Sequence, residues 1–150
     1  MEEPLVETWA IHNRINVYLL DAISEESLSL ALPKCRSVLD QFAHVHNVRL
    51  MWLKAAGVTA LPAKLAPATA SKQQAIQALE ESGQAIESTL RPTIDGDGRI
   101  KGFKPDVAGF FAYLVAHDAH HRGQITMLAR QLGHPVSQSV MFGMWEWGTR

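Results

Sequence analysis

Between residues 107 and 132 apolar positions return in steps of three and four, and two positions of that stripe are histidines. Val107, Phe110, Leu114, His117, His121, Ile125, Leu128 and Leu132 share one face of a 3.6-residue helix, so the chain must bury this seam against other elements. Placing two imidazoles in an apolar seam costs free energy unless each ring finds a partner. Residues four apart on a helix stand about 5–6 Å apart at Cβ, close enough for both rings to meet one metal ion. A single seam histidine more often bonds to a neighbouring helix or turns to solvent. A pair one turn apart points to metal.

The rest of the chain supplies helices to pack against this one. Residues 4–23 repeat Leu5, Trp9, Ile15, Leu19 and Ile23 without an internal glycine or proline, which predicts a first helix, and 24–33 form a connector with one helical turn at most. Residues 34–56 predict a second helix whose stripe is Cys35, Leu39, Phe42, His46, Leu50 and Leu53. Gly57 ends it, and a proline-containing loop follows. Ser71 and Gln74 have capping-box spacing and open a third helix to about Leu90. Its apolar set is thin and Gly83 weakens it, so it is expected on the outside of the bundle. A turn-rich loop with two Asp-Gly steps, room for a small hairpin and length enough for a crossover, leads to the fourth helix over 105–132, closed by Gly133.

The fold expected is all-α, an antiparallel four-helix bundle in one domain over 1–150, with a short C-terminal extension. That tail carries MFGMWEWG and is too aromatic to stay in water, so it should fold back or cover a second copy; a homodimer is expected. Trp52, Trp145 and Trp147 are read as core residues. The 47% hydrophobic content suits a single core.

Charge narrows the function. Fourteen Lys and Arg against 15 Asp and Glu leave no basic field for nucleic acid or an anionic membrane. The acids near the start do not suit a secretory signal, and no apolar run is long enough to span a bilayer, so a cytoplasmic protein is expected. Cys35 is the one cysteine, which rules out an internal disulfide and thiolate-rich zinc sites. Its place on the second helix's stripe reads as an inert core residue. Any metal must therefore be held by nitrogen and oxygen.

A third ligand has to come from another helix, and the second helix offers His44 and His46. Periodicity favours His46, which completes the Leu39, Phe42 and Leu50 face; His44 lies about 160° away around the helix, so the two cannot share an ion. HDAHH has the spacing of the zinc-protease HExxH, but Asp118 is one methylene shorter than the glutamate that motif uses as base. The chain has no Glu-x-x-His, which excludes a di-iron carboxylate centre. Asp118, His120, Arg122 and Gln124 could orient ligands or substrate, and Asp118 with Arg122 equally fits a solvated i, i+4 surface pair. No residue is identified as catalytic.

The histidine within FAHVHNVRLMWL, the HxxxHRGQ ending over 117–124 and the closing WEW segment together resemble the DinB family, whose bundles include thiol transferases of the mycothiol type. The resemblance covers nearly the whole chain. It implies a three-histidine metal site with open positions, formed here by His44, His117 and His121, with Asn47 in place of a polar or acidic residue three beyond His44. Zn, Ni or Fe fits three neutral imidazoles. The activity implied is that of a metal-dependent enzyme acting on a small molecule, such as a thiol-dependent transferase or isomerase with a low-molecular-weight thiol. The alternatives are a metal-dependent hydrolase and a non-catalytic dimeric metal-binding protein.

Overall fold

The computed structural model describes residues 3–150. In chain order the helices are α1 (Pro4–Ala22), α2 (Glu25–Leu28), α3 (Val38–Ala55), α4 (Lys72–Asp95), α5 (Val107–Gln131) and α6 (Gln138–Gly143), followed by a 3-10 turn over Trp147–Thr149. No strand element occurs among the described residues; the loop before α5 contributes a single antiparallel bridge between Arg99 and Asp106.

Local chemistry fixes the helix ends. At α3 the Ser37 hydroxyl accepts from the Asp40 amide at 3.0 Å, and the Asp40 carboxylate accepts from the Ser37 amide at 2.9 Å. This reciprocal cap starts the helix at Val38, four residues later than periodicity suggested. Lys34 sits at φ 63°, which no continuing α-helix allows, and Cys35 is exposed rather than part of the core. At α4 the expected Ser71–Gln74 box forms, but the helix runs on to Asp95 through Pro92. Proline there removes one amide, while Thr89 and Thr93 hydroxyls bond back to the Ala85 and Thr89 carbonyls on either side. Asp106 caps α5, and Gly133 at φ 83° ends it.

Far from lying outside, α4 is a full bundle member, with Ala75, Leu79, Ser82, Ile86 and Leu90 all at 0% exposure. Gly83 makes this possible, because a Cβ there would collide with the Asn13 side chain. The Trp9 indole donates to the Gly83 carbonyl at 2.8 Å across the same close approach.

Pairings along the helices give their directions. Trp9 meets Gly83 while Asn13 reaches Leu79, so α1 and α4 run antiparallel. Gln41 meets His121 while Trp52 meets Phe110, so α3 and α5 do as well. His12 reaches Asp118 and Asn16 reaches Arg122, which makes α1 and α5 parallel neighbours. It follows that α3 and α4 are parallel too, and the crossover is the segment before α4, not the one after it. Parallel neighbours require a connection that travels the length of the bundle, about 27 Å for an 18-residue helix.

The apolar interior divides in two. One cluster gathers Leu19, Phe42, Leu79 and Ile125; the other gathers Trp9, Leu53, Ile86 and Phe110. Between them lie buried His12, Asn16, Arg49, Ser82 and Asp118. The tail does fold back, burying Met144 and resting Met141 and Trp147 on the first cluster. Trp145 and Phe142 nevertheless stay 79% and 64% exposed, against the expectation of a core role for Trp145: Phe142 lies on the outer side of the short α6, and Trp145 lies in the turn after it, where Met144 takes the inward position. No helix among the described residues is long and apolar enough to cross a membrane.

Candidate metal centre

Antiparallel packing of α3 on α5 brings His44 against His117 and His121. The Nε2 atoms of His44 and His117 are 3.3 Å apart, and one nitrogen from each of the three rings lies within 4.8 Å of the others. The α5 rings are turned by partners behind them. His121 Nδ1 donates to Gln41 Oε1 at 2.6 Å, and His117 Nδ1 donates to Asp118 Oδ1 at 3.3 Å. Each bond leaves Nε2 as the ring's acceptor, the tautomer a ligand needs.

His46 is not part of this group. Fully buried on the opposite side of α3, it donates through Nε2 to the Ala63 carbonyl at 2.8 Å, and neighbouring Asn47 exchanges two 3.1 Å bonds with the Leu65 backbone. Periodicity correctly finds a buried face, but that face holds the crossover segment. Asn47 is likewise spent on the loop.

Behind His117 stands the polar layer. Asp118 is fully buried, and its Oδ2 accepts from Arg49 Nη2 at 2.7 Å, His12 Nε2 at 3.0 Å and Asn16 Nδ2 at 3.1 Å. The solvated Asp118–Arg122 pair does not form. Arg122 instead donates to Asn16 Oδ1 at 2.7 Å and to His12 Nδ1 at 3.3 Å. The seam of α5 buries Phe110, Leu114, His121, Ile125 and Leu128 as expected but is turned slightly, so that Asp118 and Ala129 join the buried positions and His117 stands half-buried at the edge. His120 and Gln124 pair with each other at 3.0 Å on the surface, away from the three rings' common centre.

His12, Asn16 and Arg49 escape a reading that tracks apolar residues alone. Their positions do carry a trace: 9, 12, 16 and 19 on α1, and 42, 46, 49 and 53 on α3, keep the three-and-four step of a buried stripe. Polar residues at such positions mark an internal hydrogen-bonded layer.

Electrostatics favour the neutral form of His44 and His121. Burial lowers His121 to about 4, helped by the charges His117 and His44 would carry, and burial with Arg36 nearby lowers His44. Burial also lowers His12 despite its bond to Asp118. For Asp118 burial pushes the other way, but Arg49, His117 and His12 outweigh it and hold the carboxyl well below its ordinary value. A permanent carboxylate thus faces His117 from behind.

A family description covers almost all of this structure: the DinB family matches residues 1–147. The chain belongs to the DinB family. No curated protein and no solved structure matches it.

In this DinB-family chain the three-histidine group suits a divalent ion by its donor set. Two nitrogens each about 2.0–2.1 Å from a tetrahedral ion stand about 3.3–3.4 Å apart. The His44–His117 separation has that value already. The third ring is set by Gln41, and among the described residues no carboxylate or thiolate joins the three nitrogens within ligand reach. Of the three rings His44 also lines a cavity of about 480 Å³, together with Lys34, Arg36 and Asn47. A second cavity of about 540 Å³, beyond Arg36, is lined by Gln41 and His120.

Proposed function

We propose that this DinB protein is a divalent-metal-dependent enzyme in which His44, His117 and His121 hold the ion and a small molecule, with a low-molecular-weight thiol as co-substrate, enters from the Arg36 side. The observation that carries the reading is the convergence of three imidazoles, two of them with their Nδ1 protons committed elsewhere, beside an open cavity. When bound, Zn, Ni or Fe would supply Lewis-acid chemistry and lower the pKa of a water or thiol. The protein's residues do the rest. Asp118 fixes the His117 tautomer and ring plane, Gln41 fixes His121, and Arg49, His12 and Asn16 keep Asp118 ionised and immobile. Three protein ligands with space for others favour catalysis over a closed structural site. The thiol rests on the DinB likeness alone.

Elemental analysis of tag-free protein tests the centre. Wild type should carry close to one divalent ion per chain, and His44→Ala, His117→Ala and His121→Ala should each lose it, while His46→Ala keeps it. Retention of the ion in both α5 variants would remove the centre. Transfer of a thiol to an electrophile, assayed beside ester and amide hydrolysis, then separates a transferase from a hydrolase.

A further inference from the structure

The buried polar layer is not balanced in charge. Arg49 and Arg122 bring two positive groups to it and Asp118 brings one carboxylate, which Arg49 already engages at 2.7 Å. The two partners of Arg122, Asn16 Oδ1 and His12 Nδ1, are not carboxylates. Among the described residues no carboxylate forms an ion pair with Arg122, because the layer's carboxylate, Asp118, takes Arg49 instead. A part-buried guanidinium whose hydrogen bonds go only to Asn16 and His12 keeps its charge free for an anion.

Arg122 also lines a cavity. Arg122 Nη1 is committed to Asn16 and His12, whereas Nη2 and Nε have no protein partner among the described residues. The cavity lies on the side of α5 away from the three-histidine group, between that helix and the returning tail. Its volume is about 250 Å³, and Arg122 and Thr126 share the lining with Met141, Met144, Trp145 and Trp147. The remaining wall, Ala119 and Gly123, is small; a Cβ built on Gly123 meets nothing within 4 Å. Trp145 is 79% exposed at this site, an aromatic face held in water at a cost.

We propose that the cavity between α5 and the tail binds a small aromatic carboxylate, its anionic group on the free edge of Arg122 and its ring against Trp145 and Trp147. A guanidinium offers two parallel N–H donors that match a carboxylate, and flat tryptophan faces with methionine around them suit one aromatic ring. The volume is below that of pockets for drug-sized molecules, which limits the occupant to a single ring system. The site lies on the other side of α5 from the histidine centre, and binding there requires no metal.

Phenylacetate and its uncharged isostere phenylacetamide are the probes, followed by tryptophan fluorescence and titration calorimetry on the full chain. Phenylacetate should bind and perturb the fluorescence, with phenylacetamide about tenfold weaker or worse. Arg122→Gln should erase the difference between the probes. Because Arg122 also supports the buried layer, Ala119→Leu provides a second variant that adds bulk to the cavity wall away from that layer, and it should abolish binding of phenylacetate. Equal affinity for the two probes, absence of binding by phenylacetate, or undiminished binding in Ala119→Leu would each overturn the proposal. So would light scattering that shows a second copy seated on Trp145 and excluding the probe.

Discussion

Asp118 is where the chain commits most to a single arrangement. One carboxylate, fully buried, receives Arg49, His12 and Asn16 on one oxygen and His117 on the other. Asp118→Asn should lower divalent-ion affinity by about 10–100-fold, as loss of a partner behind a metal-binding histidine does. It also leaves Arg49 buried without its counter-charge, at a cost of about 3–5 kcal/mol. Metal competition titration and urea unfolding of the same variant measure the two effects separately. Acid should weaken the fold in a defined window. His121 titrates near 6.5 when unfolded but at about 4 when folded, so across that interval the unfolded chain binds more protons. Stability is therefore complete above the upper value and falls as pH drops toward the lower one, with His12, His44 and His46 acting in the same direction. Below it, protonation of Asp118 removes more. A urea midpoint that is unchanged between about pH 7 and about pH 5 would contradict this.

At the scale of the helix, the chain was legible wherever apolar periodicity and end signals agreed. Residues 107–132 have both an aspartate cap and a terminal glycine, and α5 keeps within a residue or two of the reading. The rotation of α5 was harder to read, because His117 and Asp118 are adjacent and either completes a three-and-four stripe; only the arginine and histidine waiting on α3 and α1 decide for Asp118. His44 was visible through the family likeness and not through periodicity, which follows buried faces and so leads to His46. The start of α3 was missed because its N3 residue is aspartate, a shorter partner than the Glu or Gln of the usual box. Ser37→Ala should accordingly cost about 1 kcal/mol. Gly83→Ala, though it favours an isolated helix, should destabilise the protein because the added methyl meets Asn13, which holds Arg49 at 2.8 Å. Paired thermal melts of the two variants check both, and a stabilised Gly83→Ala would refute the close-packing account.

For the whole molecule, the two-up, two-down arrangement puts the three histidines on helices that are neighbours in space and far apart in sequence. His44 and His117 are separated by 73 positions. The homodimer expected from the aromatic tail remains a proposal. It would have to cover Phe142, 64% exposed in the single chain, and light scattering that returns one 16.6 kDa species would dismiss it. That same separation has a kinetic side. A ligand gripping α3 and α5 together can act only after the crossover and α4 have found their places, so it stabilises an arrangement reached late. Supplying zinc at about 100 times its dissociation constant should add about 2.7 kcal/mol, and that gain should appear as slower escape from the native state, with the rate of arrival barely altered. Withdrawing the ion with a chelator would then shorten the protein's lifetime without changing how fast it is made whole.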